Sequence, residues 1–284
     1  MTKLLLKLII SLPRGGYLAL RIFTSFITSL KSYDLELNTA KNLTIKADLR
    51  ENIFFTLLKY GYYKHQVTED FIISSIVSKN NTVIDIGANI GWISLILAES
   101  VGSSGKVYSF EPSSKIFNYL KQISEKRKQI FPYKMAMSNE NGEVSFTNEK
   151  YSDLSHISSN TTKNSETVEC KTLDRFVSEQ NITSIDLIKV DVEGHDCQVI
   201  EGGLKTLESY SPYLMFEALS EKELENIINL LPIEYDIYNI VNQYPFSVIN
   251  SFNMTNNYLA IPSNKSNEVP NFLFDREFLV HKKR

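Results

Sequence analysis

Cysteine is scarce in this sequence, and its scarcity excludes two kinds of protein. The 284 residues include two cysteines, Cys170 and Cys197, too few for a secreted scaffold held together by several disulfides. A zinc site built mainly from thiolates is excluded for the same reason. Two isolated thiols in a chain of this size favour a reducing compartment, and we expect a cytoplasmic protein.

The sequence also has no excess of positive charge. The sequence has 30 Lys and Arg against 33 Asp and Glu, a formal net charge of −3, whereas proteins that bind nucleic acid present basic surfaces to the phosphates. We therefore expect no nucleic-acid partner. With 43% apolar and 22% charged residues, the composition is that of a globular protein and excludes a disordered chain or a coiled coil.

The N-terminal segment lacks a long apolar run. Lys7, Pro13 and two glycines interrupt it, and a membrane-spanning helix needs about 20 mostly apolar residues. Residues 1–33 carry five basic residues and no acid. This pattern leaves two interpretations open: a basic amphipathic helix in peripheral contact with an anionic membrane, or a helix that packs on the main domain or on a partner chain.

From residue 82 onward, short β-branched runs alternate with segments of helical periodicity. This order indicates an α/β fold, a parallel sheet with helices on both faces. We predict an N-terminal helical extension over residues 1–60 and the α/β domain over residues 61–284. The predicted strands are 82–86, 106–110, 130–137, 168–172, 184–190, 213–216, 235–241 and 258–261, and a long polar loop is predicted at 147–166.

Acidic residues lie at the carboxyl ends of four predicted strands. Asp85 closes the first strand, Glu111 follows the second, Asp191 and Glu193 follow the fifth, and Glu217 follows the sixth. Open parallel sheets bind their ligands outside the carboxyl ends of the strands. Because burying charge without partners is costly, these acids predict a ligand site at this rim.

The turn after the first strand is rich in glycine but lacks the dinucleotide fingerprint. It reads Asp85-Ile-Gly87-Ala-Asn89-Ile-Gly91, where the fingerprint requires G-x-G-x-x-G. Its two glycines permit a tight bend and a close approach to a ligand. Glu111 follows 20 residues after Gly91, and its carboxylate can accept hydrogen bonds from two ribose hydroxyls. The turn therefore favours a nucleoside-type cofactor without a pyrophosphate.

Four segments of the chain together resemble the FkbM-type methyltransferases. They are VIDIGANIG at 83–91, FEP at 110–112, TLD at 172–174 and IKVDVEG at 188–194. The resemblance covers roughly residues 65–262. It implies the Rossmann-like fold of class I methyltransferases, with a mostly parallel central sheet and a final antiparallel strand, and S-adenosylmethionine as the cofactor.

The resemblance also implies roles for the matching positions. The methionine and ribose parts of the cofactor would be lined by Asp85, Gly87, Asn89 and Gly91, and the ribose hydroxyls would be held by Glu111. Met137 and Ser138 would lie beside the adenine, and Asp191 would face the sulfonium and the acceptor.

Methyl transfer to a hydroxyl also needs a base, which contributes about 10²- to 10⁴-fold. The candidates are Asp191, Glu193 and His156, with His195 as a further histidine near Asp191. Lys189 alternates with Asp191 along one strand, so both should point to the same face, where Lys189 would pair with Asp191 or with Glu217. Carboxylates here could bind Mg²⁺, but no spacing requires a metal, and we expect none.

The sequence thus predicts a methyltransferase that methylates a hydroxyl of a glycan or of a secondary-metabolite-type small molecule. Two alternatives stay open. One is a nicotinamide-dependent oxidoreductase on a similar sheet, against which the missing G-x-G-x-x-G pattern argues, since Asn89 occupies its second glycine position. The other is a non-catalytic nucleoside-binding or scaffold protein, against which the intact set of Asp85, Glu111 and Asp191 argues. The oligomeric state is left open.

Overall fold

The computed structural model shows two compact units, Met1–Val67 and Thr68–Arg284. The predicted domain division after residue 60 stays a proposal. The residues that the structure describes are 6, 8, 9, 11, 12, 16–24, 33–37, 43–49, 51–60, 67–147, 156–157, 165–240, 256–266 and 279–282.

The first unit contains strands as well as helices. Its elements are α1 (Gly16–Thr24), β1 (Tyr33–Leu37), β2 (Leu43–Ala47) and α2 (Asn52–Tyr60). The two strands form an antiparallel pair. In β1 the apolar Leu35 and Leu37 are buried while Glu36 is exposed, the period-two pattern of a half-buried strand. The expectation of a purely helical extension is therefore incomplete.

The second unit holds the remaining elements. The strands are β3 (Thr82–Ile86), β4 (Lys106–Phe110), β5 (Ile130–Tyr133), β6 (Ala136–Met137), β7 (Gly142–Thr147), β8 (His156–Ile157), β9 (Ser165–Lys171), β10 (Leu187–Val190), β11 (Tyr213–Glu217), β12 (Tyr235–Asn239), β13 (Asn257–Pro262) and β14 (Leu279–Lys282). The helices are α3 (Val67–Ile76), α4 (Trp92–Val101), α5 (Ser114–Lys126), α6 (Leu173–Glu179), α7 (Asp196–Glu201), α8 (Leu204–Tyr210) and α9 (Glu221–Leu230).

The main sheet has the order β14-β12-β13-β11-β10-β3-β4-β5. Strands β11, β10, β3, β4 and β5 are parallel to one another, and β13 lies antiparallel between β11 and β12. Every residue of β3 and β10 is buried, as expected for central strands covered on both faces. The predicted fold class and the expected antiparallel strand near the C-terminus are confirmed.

The predicted strand 130–137 is wrong as a single element. Its first half, β5, is the edge strand of the main sheet, whereas its second half, β6, pairs with β9 in a separate sheet of order β6-β9-β7-β8. The apolar pattern is the same on both sides of the break, so the sequence does not show that the chain changes sheets. Of the predicted polar loop, Thr147, β8 and the start of β9 are described, and residues 148–155 and 158–164 lie outside the described part.

Candidate active site

The glycine turn after β3 has three residues in the left-handed region. The φ angles are +81° at Gly87, +52° at Asn89 and +91° at Gly91. A Cβ atom on Gly87 would lie 1.8 Å from the Asp191 carbonyl oxygen, and one on Gly91 would lie 2.9 Å from Leu120 Cδ1. Glycine is therefore required at both positions, and the turn lies directly against the segment that follows β10.

Glu111, just after β4, is held in place by the same turn. Its carboxylate accepts the backbone N–H of Asn89 at 3.0 Å and that of Ser113 at 2.8 Å. Burial raises the Glu111 pKa to about 7, although these two hydrogen bonds lower it. A carboxylate offers about four lone-pair directions. Two hydrogen bonds leave acceptor capacity, so the side chain suits a ligand with neighbouring hydroxyls.

Asp85 is fully buried near the end of β3. Ser94 Oγ donates to its Oδ2 at 2.5 Å, while its buried Oδ1 has no hydrogen-bond partner among the described residues. Burial raises the Asp85 pKa, and Lys189 and Ser94 oppose that shift. A buried polar atom without a partner is rare in native proteins. The free oxygen therefore fits a site completed by a ligand or by water.

Lys189 and Asp191 form a largely buried ion pair. Lys189 Nζ lies 2.7 Å from Asp191 Oδ2, and the two side chains are 4% and 28% exposed. The prediction that they share one face of β10 is confirmed. Burial lowers the Lys189 pKa, but the carboxylates of Asp191, Asp85 and Glu69 outweigh this effect and raise it. The Lys189 ammonium thus balances the negative charge of several carboxylates at once.

A small cavity lies beside Asp191, at the carboxyl ends of β10 and β11 and the start of β13. Across it, Asn257 Nδ2 donates to Glu69 Oε1 at 3.0 Å. Burial raises the Glu69 pKa to about 8, against the opposing charge of Lys189. The cavity is lined by Glu69, Lys189, Val190, Asp191, Met215, Phe216, Ile240, Asn257 and Tyr258.

Sequence reasoning missed Glu69 and Asn257 as site residues. Glu69 is a buried residue of α3. It precedes Ile72, Ile73 and Ile76 by three, four and seven positions. An acidic residue on the apolar face of a helix is unusual, and this pattern could have identified Glu69 as a site residue. Asn257 opens β13 and carries no such signal in its neighbours.

Asp196 joins the ends of β10 and β11. Its fully buried carboxylate accepts the backbone N–H of Val192 at 3.2 Å and that of Glu217 at 2.9 Å. Burial, followed by the charge of Asp191, raises the Asp196 pKa to about 7. The two strand ends next to the cavity are therefore connected through one side chain.

A family model for the methyltransferase FkbM domain matches residues 85–252, more than half of the chain. The chain belongs to this family. The predicted membership of the FkbM-type family is therefore confirmed. The FkbM domain is a methyltransferase domain, so the predicted enzyme class is confirmed as well.

Two characterised relatives and one crystal structure are similar to this FkbM domain protein. Hexuronic acid methyltransferase AglP of Haloferax volcanii is 25% identical over 159 residues, which cover 54% of this chain and 62% of AglP. The chain therefore spans less than two thirds of AglP. The 2-O-methyltransferase NoeI of Sinorhizobium fredii is 26% identical over 201 residues, 62% of this chain and 80% of NoeI. The crystal structure of methyltransferase FkbM from Methylobacillus flagellatus has a TM-score of 0.47 at 14% identity, covering 87% of this chain and 60% of the other.

The residues expected beside an adenine occupy two different environments in the FkbM domain. Met137 packs into the main hydrophobic core. The buried Ser138 places its Oγ 2.8 Å from His195 Nε2, and burial lowers the His195 pKa. The structure thus brings Ser138 next to the segment after β10. Contact of either residue with adenine stays a prediction.

The other candidate bases of the FkbM domain differ in their placement. Glu193 is exposed and has a φ of +54°, followed by Gly194 at +83°, so the chain turns tightly just past Asp191. His156 is described by its backbone, which pairs with Thr147 in the smaller sheet. Glu217, a rim acid that was not among the predicted bases, has a buried Oε2 without a partner among the described residues, and burial and Asp191 raise its pKa to about 7.

Within the described part of the chain, no group of three or more His, Cys, Asp or Glu side chains is placed to hold a metal ion. Of the acids at the rim, Asp191 lies 2.7 Å from the Lys189 ammonium, and Asp85 also raises the Lys189 pKa. The expectation that no metal takes part stays a prediction.

Proposed function

We propose that the protein transfers a methyl group from S-adenosylmethionine to a hydroxyl oxygen of a glycan or a related small molecule. The observation that carries the proposal is the meeting of the glycine turn, Glu111 and Asp191 at one rim, next to a cavity. The relatives support it by name, since AglP is a hexuronic acid methyltransferase and NoeI a 2-O-methyltransferase.

The chain's own residues fit this cofactor. The turn from Gly87 to Gly91 would admit it closely because neither glycine presents a side chain, and Glu111 would accept its ribose hydroxyls. The free Oδ1 of Asp85 would receive a donor at the methionine end. When bound, S-adenosylmethionine supplies an electrophilic methyl group on its sulfonium.

Asp191 is the base that the geometry favours. It lies between the glycine turn and the cavity, and Lys189 binds its Oδ2, which leaves Oδ1 to accept a proton. The acceptor oxygen would gain the methyl carbon, the carbon–sulfur bonding pair would stay on sulfur, and the hydroxyl proton would pass to Asp191. Fixed positioning of the reacting groups supplies much of the rate enhancement in such displacements. Glu193 and His156 are the alternatives.

Isothermal calorimetry of the full chain with S-adenosylhomocysteine, and with NAD as a control, tests the cofactor. We expect micromolar binding of the first and no binding of the second. Binding of NAD would support an oxidoreductase, and binding of neither would support a scaffold protein.

A matched pair of variants sharpens this measurement. Glu111→Gln should weaken S-adenosylhomocysteine binding by about tenfold to a hundredfold, because a hydrogen bond to a charged group contributes about 1.5–3 kcal/mol. Glu125→Gln, on the exposed surface of α5, should leave binding unchanged. Equal affinities for the two variants would contradict the assignment of Glu111.

We also propose that residues 1–33 contact an anionic membrane peripherally. Leu8 and Leu18 are each 63% exposed, within a segment that has five basic residues and no acid. Among the described residues, no helix is both long and apolar enough to cross a membrane.

Flotation with phosphatidylglycerol vesicles tests the membrane contact. The full chain should float at low salt, and a Leu8→Ser/Leu18→Ser variant should float much less, since peripheral binding scales with buried apolar area. Equal flotation of the two proteins, or none for the wild type, would contradict the contact.

A further inference from the structure

Asp191 and Glu217 occupy corresponding positions at the ends of two neighbouring strands. Lys189 of β10 is the register partner of Met215 of β11, and each acid lies two residues further along its own segment. Asp191 still follows the sheet, because its backbone N–H donates to the Ile86 carbonyl oxygen at 3.0 Å. Register partners project to one face of a sheet, and side chains two residues apart share a face. The two carboxyl groups therefore lie on the same face, at adjacent strand ends.

The two carboxyl groups differ in their partners. Asp191 Oδ2 accepts a hydrogen bond from the buried Lys189 ammonium at 2.7 Å, whereas Glu217 Oε2 is buried and has no partner among the described residues. A cation in contact favours the charged form of a carboxyl, while burial and a neighbouring like charge disfavour it. In agreement, burial and the charge of Asp191 raise the Glu217 pKa to about 7. Of the two carboxyl groups, Glu217 is therefore the better place for a proton.

Asp191 is the charged group that affects Glu217 most. The titratable groups that interact with Glu217 come from β10, the segment after it, α3, α7 and α9: Lys189, Asp191, Glu193, Glu69, Asp196 and Glu223. Lys189 is the cation of this set and lowers the Glu217 pKa, but its ammonium is hydrogen-bonded to Asp191. The surroundings of Glu217 are thus mainly acidic, which favours the protonated form of its carboxyl.

We propose that Asp191 and Glu217 act as a proton-sharing pair, in which Glu217 receives the proton that Asp191 takes from the acceptor hydroxyl. The acceptor O–H bond breaks with both of its electrons staying on oxygen. The proton binds Asp191 Oδ1, passes to Glu217 Oε2 directly or through one water, and leaves to solvent from Glu217, which is partly exposed. Asp191 thereby regains its charge before the next turnover. The inference rests on the proposed function and deepens it by adding a second catalytic carboxyl.

Carbon-13 NMR of the full chain, labelled at the Asp and Glu carboxyl carbons and saturated with S-adenosylhomocysteine, tests the pairing. The spectra of Asp191→Asn and Glu217→Gln identify the two signals. We expect Glu217 to titrate well above the ordinary glutamate pKa of about 4.3. The Asp191 signal should shift again at the pH where Glu217 titrates, as coupled groups do. Asp191→Asn should lower the Glu217 pKa by about one pH unit or more, because it removes the neighbouring negative charge.

A methyl-transfer assay at several pH values tests the catalytic step. The probes are the methyl glycosides of glucose and glucuronic acid, with S-adenosylmethionine labelled in its methyl group. For an accepted probe, the wild-type kcat should rise as the pH passes the Glu217 pKa of about 7, because Glu217 must be ionised to receive a proton. Glu217→Gln should lower kcat about tenfold, less than the loss of the base itself, and should abolish this rise.

Two controls separate the pair from surface charge and from folding. Glu225→Gln removes an exposed acid of α9 and should leave the Glu217 pKa and the pH profile of kcat unchanged. Calorimetry should show that each variant binds S-adenosylhomocysteine within about twofold of the wild type, as a folded protein would. If Glu217→Gln does not fold, Glu217→Asp takes its place. That variant keeps a carboxyl but withdraws it by one methylene, and it should lower kcat while the rise with pH remains.

Four results would overturn the inference. They are an ordinary Glu217 pKa in the wild type, a Glu217 pKa that Asp191→Asn does not change, a wild-type pH profile in folded Glu217→Gln, and a kcat loss in Glu217→Gln as large as in Asp191→Asn. The last result would make Glu217 the base itself. Failure of the wild type to bind S-adenosylhomocysteine, or to methylate either probe, would instead contradict the proposed function, so the two failures are distinguishable.

Discussion

Lys189 donates a 2.7 Å hydrogen bond to Asp191, its neighbour two positions along the same strand edge, while its own side chain is almost fully buried. It is also the register partner of Asp85 on the adjacent strand. One cation therefore lies between two acids of the site and balances both.

Replacing Lys189 should consequently damage stability. Lys189→Met would leave buried acids without their countercharge, and breaking such a pair costs about 3–5 kcal/mol. Chemical denaturation at pH 7 measures the loss. Lys46→Met is the matched control, because its ion pair with Asp34 is exposed on both sides and such pairs contribute about 0–1 kcal/mol. Equal losses in the two variants would show that Lys189 is not the countercharge of the rim.

The identity of the base can be tested by three substitutions. Asp191→Asn should lower kcat for an accepted glycan by about 10²- to 10⁴-fold, because a positioned base contributes that much, while S-adenosylhomocysteine still binds. Glu193→Gln and His156→Ala should each change kcat by less than tenfold. A methyl-transfer assay at saturating cofactor measures all three. A larger loss in either of the latter two variants would move the base assignment to that residue.

The close approach of the glycine turn to the Asp191 backbone predicts strong intolerance of a side chain. Gly87→Ala combines a positive φ with a collision against a backbone oxygen, and should cost about 2–5 kcal/mol from strain and overpacking together. Gly142→Ala has a positive φ as well, but a Cβ there meets nothing within 4 Å. Thermal unfolding should show the larger loss for Gly87→Ala, and the reverse order would contradict the close approach.

Stability should fall as the pH rises from about 5 to 8. Burial raises the folded-state pKa of Glu69 to about 8 and those of Glu111 and Asp196 to about 7. In the unfolded chain these groups lose their protons near pH 4 to 4.5. The folded state therefore binds more protons in between, and its advantage is lost as the pH passes the raised values.

Melting temperatures across this pH range test the direction of the stability change and the contribution of Glu69 to it. The wild type should melt at progressively lower temperature from pH 5 to 8, and Glu69→Gln should show a shallower decline because glutamine does not titrate. Glu225→Gln, on an exposed position of α9, should follow the wild type. A wild-type melting temperature that is constant or rises over this range would refute the prediction.

The sheet and most of its rim could be predicted from the sequence because they depend on local patterns. Continuous apolar runs identify central strands, and the acids that follow them fall on one edge once the strands are parallel. Strand alternation predicted that Lys189 and Asp191 share a face, but it left the partner of Lys189 open between Asp191 and Glu217. The division of 130–137 between two sheets could not be predicted, because strand partners are set by residues distant in the chain.

The cavity could not be predicted from local sequence patterns either. Glu69 and Asn257 are separated by 188 positions and meet through one hydrogen bond. No spacing in the sequence encodes that meeting, since helix α3 and strand β13 belong to opposite ends of the domain. The pKa of Glu69 likewise depends on burial among residues of several elements.

The carboxylate of Asp196 has a consequence for the position of the candidate base Asp191. The pairing of β10 with β11 ends at Lys189 and Met215, and beyond that point Asp196 joins the two strand ends through the backbone N–H groups of Val192 and Glu217. The spacing of these two backbone segments is therefore fixed by hydrogen bonds to one side chain. Asp196→Glu, which is one methylene longer, would move the segment that carries Asp191 while the residues of the glycine turn and Glu111 stay the same.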